Sequence, residues 1–390
     1  MFSDVLSNLP WKKKPLCSLA GVCSGCEWIH IPRSKQLQEK ERLFREIWQN
    51  TTDIALPTQM NILDTGEKKL RIQCDLSFRR DGDTCVLGLY DIDRENIVAL
   101  NACPIVTDDV EEFIQDLAKH PPPIPRASIR LRVNPHGLRG MWIDAANEDI
   151  RILLNEKRWL QHWLRDCHVE IGQKRKYVAQ SHGELSLELP LLRMWFHSYF
   201  PDENQDIPLW TVVGGFTQPS ILSNRHLVTR VLNIAEQIPA KTWLEFGAGC
   251  GNFTIPFAKK FAKIIATETS TLSVQGLDKS IAHHKLQQHV QISPLNLERK
   301  TPESVELLQQ CDAMLVDPPR SGLRHALENI RLAPPPNILY VSCHGQSLAT
   351  DASILRDIGY TLEHIEGVDQ FPHTAHCEWI SHWKLSERKV

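Results

Sequence analysis

Read for the alternation of apolar and polar positions, the chain divides into a β-patterned first half and an α/β-patterned second half. Residues 34–50 carry apolar side chains at helical spacing, with Leu37, Phe44, Ile47 and Trp48 on one face, which predicts a packing helix. From Leu70 the period becomes two. Segments 70–78 and 84–91 flank Asp81-Gly82, and segments 127–133 and 140–144 flank Asn134-Pro135-His136-Gly137, so each pair predicts a hairpin. A helical stretch near 110–118 and the prolines at 121–123 and 125 separate the two hairpins. The composition shifts around residues 201–208. Beyond them, strand-like segments at 242–246, 263–268, 291–293, 313–317, 338–342 and 378–384 alternate with helical stretches, among them 222–237 and 252–262. That alternation predicts an α/β fold: a C-terminal Rossmann-like, doubly wound parallel sheet behind a β-rich module.

A chain of 390 residues is too long for one ordinary core. The expected division is an N-terminal cysteine region with its helix at 1–60, a β-rich module at 61–205 and the Rossmann-like domain at 206–390. A make-up of 42% hydrophobic and 23% charged residues is that of a soluble globular protein. The net charge of −3 argues against a generally basic nucleic-acid coat, so any RNA surface is local. Lys12-Lys13-Lys14, Arg79-Arg80 and the arginines at 126, 130, 132 and 139 are such patches, and a β-rich platform carrying arginines suits substrate binding. No run approaches the ~18 apolar residues of a membrane span. Eleven cysteines without a signal peptide point to a reducing, cytoplasmic setting. Nothing in the sequence calls for a membrane or an obligate protein partner.

Clustered thiols in such a setting mean metal or catalysis. Cys17, Cys23 and Cys26 follow a C-x5-C-x2-C spacing that leaves a tetrahedral thiolate site one ligand short. Cys103, in the loop-like NACPIV, is the best fourth candidate. Spacing alone leaves zinc and an iron–sulfur cluster both open. In the second half, LEFGAGCGNF (244–253) runs from a strand through Gly247, Gly249 and Gly251 into a helix, the parts of a nucleotide crevice. Glu268, closing the next strand, stands at roughly the 20-residue offset of an acid that meets a ribose hydroxyl pair. Asp317-Pro318-Pro319-Arg320 ends another strand with a carboxylate and a rigid lip. Cys343 follows a strand, where a nucleophile would face solvent, and Glu378 begins the last strand. A zinc site from His373, His376 and Cys377 needs a bent loop, because neighbours on a strand point opposite ways.

These stretches resemble the S-adenosylmethionine-dependent RNA uracil-5-methyltransferases, through FTQP, LEFGAGCGNF, ATE, VDPPRSGL, ILYVSC and DQFPHTAHCE. The four cysteines resemble the iron–sulfur branch of that family, which acts mostly on 23S ribosomal RNA. The resemblance implies S-adenosylmethionine as cofactor and a [4Fe-4S] cluster on Cys17, Cys23, Cys26 and Cys103. It implies Cys343 as nucleophile toward uracil C6, Glu378 as the base for the C5 proton, and Asp317 facing cofactor and uracil. Gln218, Gly247, Asn252 and Glu268 match cofactor-contacting positions. Only 16 residues precede Cys17, so the RNA-binding barrel that opens some members is not expected here. The C-terminal motifs look at least as much like the tRNA branch, which keeps tRNA as the alternative substrate, and a non-catalytic RNA-binding relative is the remaining one. Two positions depart from the family pattern. Gly247 replaces an aromatic residue, and Ser342-Cys343-His344-Gly345 stands where Ser-Cys-Asn-Pro is usual.

Overall fold

The computed structural model describes residues 13–145 and 148–386, so Lys12 of the first basic patch lies outside the described residues. Chain order and sheet membership part company at the first strand. β1 (Ile62–Asp64), after the helix Arg33–Thr51, joins the sheet built by the far end of the chain. The next strands make a sheet of their own: β2 (Gln73–Asp81), β3 (Thr84–Tyr90), β4 (Ile97–Ala99), β5 (Arg126–Val133), β6 (Arg139–Asp144), β7 (Cys167–Ile171), β8 (Lys176–Ser181) and β9 (Glu184–Glu188). Their order is β4-β3-β2-β5-β6-β7-β8-β9. Both predicted hairpins form. Gly82, at φ +57°, turns β2 into β3 in a conformation that glycine adopts without strain. Asn134 closes the β5–β6 loop, its Oδ1 accepting from the backbone N–H of His136 at 3.0 Å and Leu138 at 2.8 Å. The helix Asp108–Lys119 buries Val110, Phe113, Ile114 and Leu117 against this sheet.

Residues 201–208, where the composition shifts, fold as the turn and far strand of a hairpin, β10 (Arg193–Phe200) with β11 (Gln205–Thr211). Pro208 fits within β11 because a two-stranded ribbon has a free edge that needs no N–H.

The second sheet contains β12 (Thr242–Phe246), β13 (Lys263–Thr267), β14 (Val290–Ser293), β15 (Ala313–Val316), β16 (Asn337–Ser342), β17 (Tyr360–Asp369) and β18 (Glu378–Leu385). With β1 it has the order β1-β17-β18-β16-β15-β12-β13-β14. Strands β12 to β16 are parallel, as strand–helix alternation predicts. β18 runs antiparallel between β16 and β17, so the sheet is not wholly parallel. The reason is local: β17 returns through the loop 370–377 as a hairpin instead of through a crossover helix. β17 itself escapes the pattern of apolar positions, because Glu363, His364 and Glu366 interrupt it. Glu366, 3% exposed, is held there by Arg230 from the helix Ile221–Ala235.

The helix Arg33–Thr51 packs onto the edge of this sheet with Gln36, Lys40, Phe44 and Trp48 buried. That stripe replaces the expected one of Leu37, Phe44, Ile47 and Trp48, since two polar residues turn inward to bond the loop 370–377. Phe44 stacks on Trp379 of β18 at 3.8 Å between ring centroids. Among the described residues no helix is long and apolar enough to cross a membrane.

Candidate active site

The order of the second sheet reverses at β12, whose neighbours are β13 and β15, and open α/β sheets bind ligands at such a reversal. The turn after β12 uses Gly247 at φ +74°, Gly249 at +58° and Gly251 at +101°, values that favour glycine. An aromatic residue at Gly247 would be strained there, which gives the departure from the family pattern a backbone cause. Glu268, just past β13, accepts from Gly249 N–H at 2.9 Å and from Thr269 and Ser270 N–H at 2.7 Å each. A cavity of about 200 Å³ opens here, lined by Phe246, Gly247, Thr267, Glu268 and Asp317 together with Leu295 and Asn296. Leu295 and Asn296 carry no motif; only their place after β14 reveals them.

Gly247, Glu268 and Asp317 therefore share one wall, and Gln218 reaches the same place, its Nε2 donating to Asp317 Oδ2 at 3.3 Å. Asn252 does not line the cavity. Its side-chain amide is engaged head to tail with that of Asn224, at 2.8 and 2.9 Å.

Cys343 lies one residue past β16 and just ahead of the helix Gly345–Ile358, and Glu378 opens β18. Glu378 is 3% exposed and its Oε2 has no hydrogen-bond partner among the described residues. Burial, and then the Asp317 carboxylate, push its pKa up to about 8. Burial likewise lifts Asp317 to about 7. The Cys343 thiol is pushed up to about 11 by burial and by Glu378 and Asp317, with Arg320 opposing. Three ionisable groups held above their ordinary pKa values thus stand within electrostatic reach of one another. Gln370 links the two carboxyls by way of Gln218: its Nε2 donates to Gln218 Oε1 at 2.7 Å and Glu378 Oε1 at 3.2 Å. Its place in the DQFP motif was the only signal for that part. His344 bonds Ser347 Oγ through Nδ1 at 2.7 Å, and Ser347 in turn donates to Arg320 O at 2.5 Å, so the imidazole braces the turn.

The loop between β17 and Glu378 is held from the N-terminal helix. Lys40, 1% exposed, donates to Asp369 Oδ1 at 2.6 Å, Phe371 O at 2.8 Å and His376 O at 2.7 Å. Gln36 bonds both the Nδ1 and the N–H of His373, whose Nε2 meets Glu67 O at 2.8 Å. Both ring nitrogens of His373 are thus engaged, which leaves none for zinc.

A second cavity, of about 140 Å³, is lined by Cys17, Cys23, Cys26 and Cys103, with Cys74 on the same wall. Leu19 and Gly25 N–H point at the sulfurs of Cys17 and Cys23, at 3.4 Å each. Burial and the neighbouring thiols raise Cys23 and Cys103, and Cys26 to about 12. Among the described residues no three His, Cys, Asp or Glu side chains gather closely enough to hold a single metal ion. Pro219, next to Gln218, and Pro372, within the loop that Lys40 holds, also line this cavity.

A reversed α/β sheet, a glycine turn facing a strand-end acid, and a thiol beside two raised carboxyls define a Rossmann-like methyltransferase that acts through a nucleoside cofactor. The family model described as tRNA (Uracil-5-)-methyltransferase matches residues 195–382. An uncharacterized RNA methyltransferase of Bdellovibrio bacteriovorus is 34% identical over 386 residues, 96% of this chain and 95% of the relative. The 23S rRNA (uracil(1939)-C(5))-methyltransferase RlmD of Thiobacillus denitrificans is 28% identical, over 97% of this chain and 87% of the relative. The chain belongs to the S-adenosylmethionine-dependent RNA uracil-5-methyltransferase family. Among solved structures, the Pyrococcus abyssi tRNA (uracil-54, C5)-methyltransferase bound to S-adenosyl-L-homocysteine superposes with a TM-score of 0.67. That likeness, at 16% identity and over 97% of this chain and 87% of the other, is one of fold.

Proposed function

We propose that this enzyme methylates C5 of a uridine in 23S rRNA, with Cys343 as nucleophile and Glu378 as base. The observation that carries the reading is the convergence of Cys343, Glu378 and Asp317, each raised in pKa by burial, at the ends of neighbouring strands. S-adenosylmethionine, when bound, supplies the methyl group as an electrophile. Gly247, Glu268 and Asp317 would hold it in the cavity they line, with Glu268 on the ribose hydroxyls. Gln218 and Asn252 would contact it at the rim, where Asn252 first has to part from Asn224.

Uracil C5 is a poor nucleophile until a thiolate adds to C6. Cys343 gives up its proton to solvent, Sγ forms the bond to C6 and the electron pair moves to C5, which takes the methyl group as the sulfonium S–CH3 bond breaks and the neutral thioether leaves. Glu378 removes the C5 proton, and the returning electron pair expels Sγ. Glu378 suits this step because a carboxyl near pKa 8 in a buried site is a stronger base than one in water. The uridine has to leave its stack to reach Cys343, at a cost of a few kcal/mol, least in a loop.

We further propose that Cys17, Cys23, Cys26 and Cys103 hold a [4Fe-4S] cluster. The four thiols line one cavity, and backbone N–H groups already face two of the sulfurs, as they do around a thiolate-held cluster. Such a cluster supplies redox-active iron and negative charge at that wall. The β2–β9 sheet then serves as the RNA-binding module between the cysteine region and the catalytic domain, and the enzyme works in the cytoplasm.

Similarity to 23S rRNA enzymes over nearly the whole chain supports that substrate above tRNA. Labelled methyl transfer to separate pools of unmodified 23S rRNA and tRNA, with nuclease digestion, tests it. Label in 5-methyluridine from 23S rRNA alone is the expected result. Label from tRNA alone transfers the reading to the tRNA branch, and none from either, with cofactor bound, points to a non-catalytic relative.

A further inference from the structure

Arg71 stands between the cysteine cavity and the catalytic loops, and nothing in the reaction uses it. Its backbone is fixed on both sides. Arg71 N–H donates to Ile105 O at 2.9 Å and its carbonyl accepts from Thr107 N–H at 2.9 Å, which ties it to the segment that follows Cys103. On the other side it makes an isolated bridge to Ser220, and Ile72 N–H donates to Pro219 O at 3.1 Å, next to Gln218.

The side chain lies on the wall of the cavity, where no other lysine or arginine lies among the described residues. Its Nε is buried and has no hydrogen-bond partner among the described residues. No carboxylate is within ion-pair distance among the described residues. Asp75, the one acid on the same wall, is already paired with Arg130 at 2.6 and 3.0 Å. A partly buried guanidinium without an anion is unfavourable, and guanidinium N–H groups otherwise find charged acceptors. The negative charge that fits this place is that of thiolates and the sulfur cluster they carry.

Resting on the reading that the four cysteines hold such a cluster, we propose that Arg71 is its charge partner and sets its reduction potential. A cation facing the cluster favours the form with one more electron, so Arg71 raises the potential.

The test uses full-length protein purified without air, as wild type, Arg71→Met and Arg71→Lys. Iron content and the visible spectrum of the wild type are measured first. Each protein is then titrated with dithionite and followed by absorbance and electron spin resonance. Arg71→Met is expected to make reduction at least tenfold less favourable, a drop of about 59 mV for a one-electron couple, with Arg71→Lys between the two. A second readout needs no reduction: iron is released to bathophenanthroline faster from Arg71→Met than from wild type. S-adenosylmethionine affinity by calorimetry verifies that each variant is folded, and Arg71→Lys carries the comparison alone if Arg71→Met does not accumulate. Unchanged potential and unchanged iron release in the variants overturn the role of Arg71 while the cluster stands. A colourless, iron-free wild type overturns the cluster reading and the role together, so the two failures are told apart.

Discussion

The catalytic crevice and the helix-bound loop beside it bury charge in opposite ways. In the crevice, Glu378 is 3% exposed, its Oε2 has no hydrogen-bond partner among the described residues, and burial holds its pKa near 8. In the loop, Lys40 and Asp369 are both 0% exposed and meet at 2.6 Å, and Arg33 adds a second cation to Asp369 at 2.5 Å. The first arrangement keeps groups short of partners, as proton transfer requires. The second sets each buried charge against an opposite one and so holds the loop that leads to Glu378. Reactivity and rigidity are thus divided between two sites a few residues apart in sequence.

Substitutions on the two sides should therefore differ in kind. Cys343→Ala is expected to lower methyl transfer on the order of 10⁴-fold or more, with cofactor affinity retained, because no other group supplies the covalent step. Single-turnover assays with labelled cofactor measure this, and transfer at the wild-type rate would remove Cys343 from the mechanism. Lys40→Met is expected to cost about 3–5 kcal/mol of stability, the consequence of removing one partner of a buried pair. Urea denaturation reads it, and a loss below about 1 kcal/mol would mean that Arg33 alone suffices for Asp369.

Glu378→Gln is expected to do the reverse and stabilise the protein. The folded-state pKa of Glu378 lies above its unfolded value, so the folded chain binds more protons and stability falls as pH rises between about 4.5 and about 8. Removing the carboxyl relieves this by up to about 4 kcal/mol at pH 8, and by little at pH 4.5. Thermal melts at the two pH values make the comparison. The same raised pKa gives the smallest effect: ionisation of the base contributes about tenfold to the rise in release of 5-methyluridine product between pH 6 and pH 7, and Glu378→Gln removes that contribution from the residual turnover while leaving the one that the Cys343 thiol imposes. A flat profile in the wild type would place the proton transfer elsewhere.

The parts of the molecule that were legible in advance are those where local pattern and tertiary role coincide. The parallel strands β12 to β16 end in Glu268, Asp317 and Cys343 because each is a short apolar run closed by a polar residue, and the glycine turn announces its own backbone. The hairpins of the first sheet follow from Asp81-Gly82 and Asn134. What stayed hidden depends on contacts distant in sequence. β17 is broken by Glu366, whose partner Arg230 lies on another element. Gln36 and Lys40 look like the solvent face of a helix until the loop 370–377 covers them. Gln370 becomes visible as a link only when Gln218 and Glu378 stand on either side of it. Hydrophobic periodicity reports apolar burial and is blind to polar groups buried for a partner.

The most direct test of the covalent chemistry is the mass of the peptide that remains attached to 5-fluorouridine-containing substrate RNA after incubation with S-adenosylmethionine. Fluorine at C5 cannot be removed as a proton, so the account predicts a stable adduct on the Cys343 peptide, carrying one methylated fluorouridine. An adduct on a different residue, or none while ordinary RNA is methylated at the normal rate, would contradict it.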